Sequence, residues 1–487
     1  MIDEFPTVSE RRAWLRRFDA RIAGDLDRLC DLVEREVAKP AIETVISELL
    51  PLRASIRWHR QHLEGLLRSR SVAGRPWWLL GQRHGTTRVP VGDVAIIATW
   101  NYPIQLLGIQ LVQALAAGNR VWVKPSEHAP QTQARLVELA WAAGVSPDRL
   151  HMVEAEREAG PRLLASRRFD HIVFTGSTEV GRAVAAVAAE SLTPTTLELS
   201  GRDSAIVLGD ADPRLAARSI WQAVSMNGGQ TCMAPRRALV DRKVHRAFLD
   251  TLAPLAAAAR PRRLIDAAAA NRVRQRVHET LARGGRLAAG VPDDAERLGE
   301  SWVRPTAVAH VDADAPLVVG DHFGPALAVV EVGSLEETLA VHERCEQHLA
   351  TSVFTRRPQA LAPIVPRLRA ATVTVNDCLV PTAHPAVSIG GRHLSGWGVS
   401  RGTEGLRTLT REVHLSTTSL RVRVPAETPT GRPAAWLRRL AARGGSGAAT
   451  PATSQAGSVR SSATGAPSSA SAPSRPQTQS RCYDSNI

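Results

Sequence analysis

The chain has 487 residues, 44% of them hydrophobic, enough for a large core and for two or three domains rather than one. Its formal charge is +14, but only Lys39, Lys124 and Lys243 among 61 basic residues are lysines and aromatics make up 4%, so the charge reads as a solvated basic surface and no nucleic-acid partner is expected. Cys30, Cys232, Cys345, Cys378 and Cys482 are scattered, odd in number and without a CxxC pair, which argues against a disulfide scaffold and a metal site.

In chain order, residues 1–70 are expected to form an N-terminal helical region, because Trp14, Phe18, Ile22 and Leu26 recur at four-residue spacing. Its acidic start, Met1 to Pro6, has no basic or apolar leader pattern, and no 18-residue apolar run follows, so a cytoplasmic protein without a membrane span is expected. From about residue 90, short β-rich runs alternate with Ala/Leu-rich helices. Strands are expected at 94–98, 120–123 and 171–174, with helices near 104–117, 130–143 and 178–190. Continuous apolar strands separated by helices predict an α/β fold with a parallel sheet covered on both faces. A Rossmann-like dinucleotide-binding domain is assigned to 71–200 and an α/β catalytic domain to 201–390, with strands near 205–208, 326–331 and 372–375. Residues 391–424 are expected to return and supply a small oligomerisation strand, 413–424. The Ser/Ala/Pro/Gly-rich tail, 425–487, is expected to be disordered. Its stretch Trp436 to Arg443 suits a solvated helical stub better than a membrane-bound helix.

Ligands to parallel sheets bind at the carboxyl ends of the strands, and three such ends carry unusual residues. Trp100 and Asn101 follow the first strand. Such an Asn is either a turn former or a side-chain donor to an oxyanion. Lys124-Pro125-Ser126-Glu127 follows the second, where an ammonium and a carboxylate suit ribose hydroxyls or a phosphate. A lysine is pointed in a chain that writes nearly every base as arginine. Phe174-Thr175-Gly176-Ser177-Thr178-Glu179-Val180-Gly181 follows the third. Its helix N-terminus and Ser177 can meet a pyrophosphate, although Ser177 or Thr178 could equally be an ordinary N-cap. Further on, Glu198 precedes Cys232 by 34 residues. A thiol can bond covalently to a carbonyl carbon, and a carboxylate can activate the water that breaks the adduct.

Taken together, WNYP at 100–103, KPSE at 124–127, FTGSTEVG at 174–181, LELSG at 197–201, GQTC at 229–232, HFGP at 322–325 and the glycine-rich 390–396 resemble the aldehyde dehydrogenase superfamily over roughly residues 70–415. The short N-terminus and the run 229–235 look most like its class 3 branch. The resemblance implies NAD(P)-dependent oxidation of an aldehyde to an acid, with Cys232 as nucleophile, Asn101 as oxyanion donor and Glu198 as the base for water. It implies cofactor binding by Trp100, Lys124, Ser126, Glu127, Gly176, Ser177, Val180, Gly181, Asp321 and Phe323. It also implies a homodimer. NAD is favoured over NADP because Glu127 disfavours a 2′-phosphate.

Four positions depart from the family pattern: Asp321 where relatives generally have Glu, Ser200 and Arg202 in place of Gly and Lys, and Thr99 in place of a frequent Pro. Two rival readings remain open. One is a CoA-acylating dehydrogenase, against which Glu198 argues. The other is a weakly active scaffold whose basic tail binds membrane or nucleic acid, betrayed by steeply salt-dependent binding.

Overall fold

The structure, a computed structural model, describes residues 6–74, 76, 79, 81–291, 298–419 and 430–443. The chain divides into two units, 1–420 and 421–487. In the first, the strands Thr195–Glu198, His171–Thr175, Asp93–Ile97, Arg120–Lys124 and Leu150–Met152 lie side by side in that order, all parallel. The short strand Gly396–Trp397 closes one edge antiparallel. Chain order runs outward in one direction from Asp93–Ile97 and then resumes on its other side with His171–Thr175, so a topological switch point falls between these two strands.

Successive residues of these strands point to opposite faces. Val94, Ile96, Val121 and Val123 join one core cluster, while Ala95, Ile97, Trp122 and Ile172 join another. That explains the continuous apolar runs: both faces are dry. The first cluster also contains Trp14, Phe18, Ile22, Leu52 and Ile56 from the helices Val8–Ala23 and Leu50–Leu67. The N-terminal helices therefore share one core with the cofactor sheet. Trp14 stacks on Phe18 and donates its indole N–H to the Ala140 carbonyl at 3.3 Å. Burying each such side chain stabilises by about 1.5–3 kcal/mol.

The second large sheet runs Thr306–Ala309, Ala326–Val332, Arg237–Asp241, Ser204–Val207, Ala350–Phe354, Thr372–Val375, parallel throughout, with Arg286–Leu287 antiparallel at one edge. The strands at 150–152, 237–241, 306–309 and 350–354 add to those expected from the sequence. The strand at 237 hides behind two adjacent arginines, Arg236 and Arg237, each only 1% exposed. A third, antiparallel sheet pairs Gln82–Pro90 with Arg70–Ser71 and, over nine residues, with Thr410–Thr418. Every residue of Thr410–Thr418 after the first is exposed. Residues 420–424 of the expected strand lie outside the described residues.

In the second unit the described residues hold one helix, Arg432–Arg443, with Trp436 exposed. The rest of the expected disordered tail lies outside the described residues. Among the described residues no helix is long and apolar enough to cross a membrane, and no cluster of potential metal ligands occurs.

Candidate active site

Cys232 follows a turn in which Asn227, Gly228 and Gly229 all have positive φ, 55°, 59° and 69°. Asn and Gly tolerate that region. Gly229 is also forced by space, because a Cβ there would sit 2.4 Å from the Gly324 carbonyl carbon. Buried Arg236 secures the turn by donating to the carbonyls of Gly229, Thr231 and Gly324 at 2.8–3.0 Å. Its guanidinium lies 5.3 Å from the Phe323 ring centroid. Cys232 is partly exposed, whereas Cys30, Cys345 and Cys378 are buried, and all four are free thiols. It opens on a cavity of about 180 Å³ lined by Tyr102, Leu106, Thr231, Met233, Leu379 and Arg401, among others. The segment 379–384 contributes Leu379, Val380, Thr382 and Ala383 to this wall.

Asn101 is buried, and its amide donates to the Gln230 carbonyl at 3.0 Å. One amide hydrogen is therefore left for another acceptor. The next residue, Tyr102, shares a 2.6 Å hydrogen bond with the Thr231 hydroxyl. Residues 101–102 and 230–232 are thus joined at two points. Glu198 ends its strand, hydrogen-bonded as a ladder residue between Thr175 and Gly396. Its side chain is buried and accepts a hydrogen bond from the Ser400 hydroxyl. Gly201 lets the chain pass closely here, since a Cβ would lie 2.7 Å from the Cys232 carbonyl oxygen.

Burial raises the Cys232 thiol to about 12, Glu198 adds to the rise, and the Arg401 charge opposes it. The resting group is therefore a thiol. Burial also raises the proton affinity of Glu198, against the Ser400 hydrogen bond and Arg401. A carboxylate whose affinity for a proton is raised is suited to taking one from water.

At the next strand end, Lys124 is buried and donates to Glu127 at 3.2 Å, and Glu127 pairs further with exposed Arg157 at 3.5 Å. Ser177 is the N-cap of the helix Thr178–Glu190, accepting from the Val180 N–H at 3.3 Å. Thr178 instead donates to the Leu394 carbonyl at 2.9 Å. Gly176 donates to the Glu198 carbonyl, and buried Gly181 packs on Leu199, where a Cβ would meet a methyl at 2.5 Å. Val180 is exposed. Ser126 is buried and serves its own turn: its N–H donates to Gln133 and its hydroxyl accepts from His128. Trp100 and Phe323 meet edge to face at 5.9 Å, although one follows the first sheet and the other precedes a strand of the second. Asp321 is exposed two residues earlier.

This donor set fits a dinucleotide. An ammonium–carboxylate pair, a helix N-terminus and an aromatic wall surround a switch point. When bound there, the oxidised nicotinamide supplies the hydride acceptor.

The sequence missed a set of N-terminal groups. Lys39 is fully buried, pairs with Glu48 at 2.5 Å and donates to the Asn101 carbonyl at 2.8 Å, its ammonium 3.7 Å from the Tyr102 ring centroid. Glu43 accepts from the Asn227 N–H at 2.9 Å and pairs with Arg262. One signal was available. Lys39 is one of the three lysines, and the reasoning that singled out Lys124 applies to it equally. Arg401 and Ser400 were missed as well.

A dinucleotide crevice beside a partly exposed thiol and a buried carboxylate defines an oxidoreductase that works through a cysteine. The model of the aldehyde dehydrogenase family matches residues 6–414, and the chain belongs to that family. It is 30% identical over 400 residues to aldehyde dehydrogenase family 3 member B2 of Mus musculus, covering 80% of this chain and 81% of that one. It is 33% identical over 327 residues to the dimeric NADP-preferring aldehyde dehydrogenase of Rattus norvegicus, covering 66% and 70%. Among solved structures, the P. syringae indole-3-acetaldehyde dehydrogenase AldA in complex with NAD+ aligns with TM-score 0.79 and 26% identity over 85% of each chain. The protein is an aldehyde dehydrogenase with class 3 resemblance, oxidising an aldehyde with NAD or NADP.

Proposed function

We propose that Cys232 attacks the aldehyde carbonyl, its proton passing to solvent as the carbon–sulfur bond forms. The Asn101 amide and the Cys232 backbone N–H hold the resulting oxyanion. Loss of hydride from the carbon leaves a thioester on Cys232. Glu198 then takes a proton from water, whose oxygen displaces the sulfur and releases the carboxylic acid. The observation that carries this reading is the placement of Cys232 on a substrate-sized cavity, on a turn that the Asn101 amide holds through the Gln230 carbonyl and that the chain just after Glu198 touches at Gly201. Glu198 favours hydrolysis over transfer to CoA.

We assign Lys124 and Glu127 to the adenosine ribose, Gly176, Ser177, Val180 and Gly181 to the pyrophosphate turn, and Trp100, Asp321 and Phe323 to the nicotinamide end. Ser126 supports its turn. Glu127, already neutralising Lys124, favours NAD. The exposed strand Thr410–Thr418, with Val413 41% and Leu415 65% exposed, supports a homodimer, since an uncovered edge invites pairing. The four free thiols support a reducing compartment, the cytoplasm.

The test is a pair of variants. Cys232→Ala should abolish oxidation while NAD still binds, and Glu198→Gln should accumulate an acyl adduct on Cys232 detectable by intact mass. Full turnover in either variant would falsify its assigned role.

A further inference from the structure

We propose that Arg401 is an anion-binding group in the substrate cavity, and that the enzyme's preferred substrate is an aldehyde carrying a carboxylate or similar small oxyanion. The proposal rests on Cys232 being the nucleophile of that cavity. Arg401 lines the same cavity as Cys232. Its guanidinium has two polar contacts, with the Thr382 carbonyl and the Gln105 amide oxygen, both at 3.3 Å. Among the described residues no carboxylate lies within ion-pair distance of it. Glu198 contributes to the same field, but its carboxylate is engaged by Ser400.

Arg401 is half-buried, and the two fully buried arginines differ from it. Arg236 spends its donors on three carbonyls, and Arg237 on Ser204, Val341 and His342. A guanidinium has five N–H donors in a fork that matches a carboxylate. A charge drawn partly out of water is favoured where it finds a partner. Here the open direction is the cavity.

The backbone shows that this placement is enforced. Arg401 sits at φ 62°, ψ 165°, a region that only glycine occupies comfortably. It is strapped there on both sides: its N–H donates to buried Gln113 at 3.0 Å, and its carbonyl accepts from Ser388 at 3.2 Å and Gly405 at 2.9 Å. Observed strain of this kind points to function. The remaining walls mix apolar Leu106, Met233, Leu379 and Val380 with neutral polar groups such as Ser219 and Gln222 and with Asp377, whose carboxylate accepts from the Leu379 and Val380 N–H groups. Arg401 is the one basic side chain among the described residues of this lining, and it selects by charge, because an anion gains its fork while a neutral chain leaves the guanidinium unmatched.

Cys232 itself reports on this without any turnover. In the wild-type enzyme, iodoacetate should label Cys232 at least tenfold faster than iodoacetamide, read by mass spectrometry, and Arg401→Gln should remove the advantage. Arg401→Lys, which keeps the charge without the fork, should fall between them. In the oxidation assay, ω-carboxyaldehydes of four to six carbons should exceed n-alkanals of equal length by at least tenfold in kcat/KM. Iodoacetamide reacting as fast as iodoacetate in the wild type, or alkanals outrunning carboxyaldehydes at every length, overturns the proposal. Both results come from wild-type protein and do not depend on a variant folding. Failure of the underlying nucleophile assignment is separate: it appears as oxidation that survives Cys232→Ala.

Discussion

Replacing Lys39 by Met tests how the N-terminal helices support the reacting groups. Lys39 and Glu48 have no exposed side-chain surface, and their charged atoms are 2.5 Å apart. Glu48 also accepts from the Ile104 and Gln105 N–H groups at 2.7 and 3.1 Å, the start of the helix that follows Asn101. Removing the ammonium leaves Glu48 with those two amides and no counter-ion. Breaking a buried pair from one side costs about 3–5 kcal/mol. For a folded unit of some 400 residues, the unfolding entropy per residue converts this to a fall in Tm of about 3–6 °C. A thermal scan at fixed rate reads it. The double variant Lys39→Met, Glu48→Gln keeps an acceptor for the amides but removes the stranded charge, so it should recover at least half of the loss. The lost hydrogen bond to the Asn101 carbonyl is not restored, so kcat should stay about tenfold low in both variants, as displacement of a reacting group predicts. A double variant as unstable as the single one would refute the buried-charge argument. Full kcat in both would refute the positioning role.

Three other outcomes follow from the same geometry. Burial pushes the imidazoles of His59 and His171 down to about 4 and that of His322 to about 3. Because these folded values lie below the unfolded value of about 6.5, the unfolded chain takes the protons first. Their stabilisation is present above pH 6.5 and is lost on acidification toward pH 4, so Tm should decline steadily over that window, and a flat profile would contradict neutral burial. With the Cys232 thiol near 12, iodoacetamide labelling of the enzyme without cofactor should rise about tenfold per pH unit between pH 7.5 and 9.5. A rate that has levelled off by pH 8 would mean that the thiolate is already formed. Glu127→Gln should raise the NADP-to-NAD ratio of kcat/KM at least tenfold, because it removes the charge that repels a 2′-phosphate and releases Lys124 and Arg157; an unchanged ratio would remove Glu127 from cofactor choice.

Local patterning carried much of this protein's reading. Helix 178–190 and strand 372–375 follow from apolar spacing and turn residues alone, because each is decided by neighbours in the chain. The motif residues Asn101, Lys124, Ser177 and Cys232 stand out because their chemistry is unusual at a strand end or turn. Several strands escaped notice, among them 82–90, 195–198 and the one that begins beside Arg236 at Arg237. The burial of these two arginines makes sense only once their carbonyl and hydroxyl partners arrive from distant segments.

What the sequence by itself determined was an α/β chain with an aldehyde dehydrogenase motif set and a thiol–carboxylate pair 34 residues apart. Only the tertiary structure decided that the N-terminal helices belong to the same core as the cofactor sheet, that Lys39, paired with Glu48, holds the Asn101 carbonyl, and that Arg401 enters the cavity of Cys232. The physical reason is that hydrophobic period and turn chemistry act over a few residues. The pairing of buried charges joins positions dozens to hundreds of residues apart, and sequence spacing carries no record of which donor will meet which acceptor.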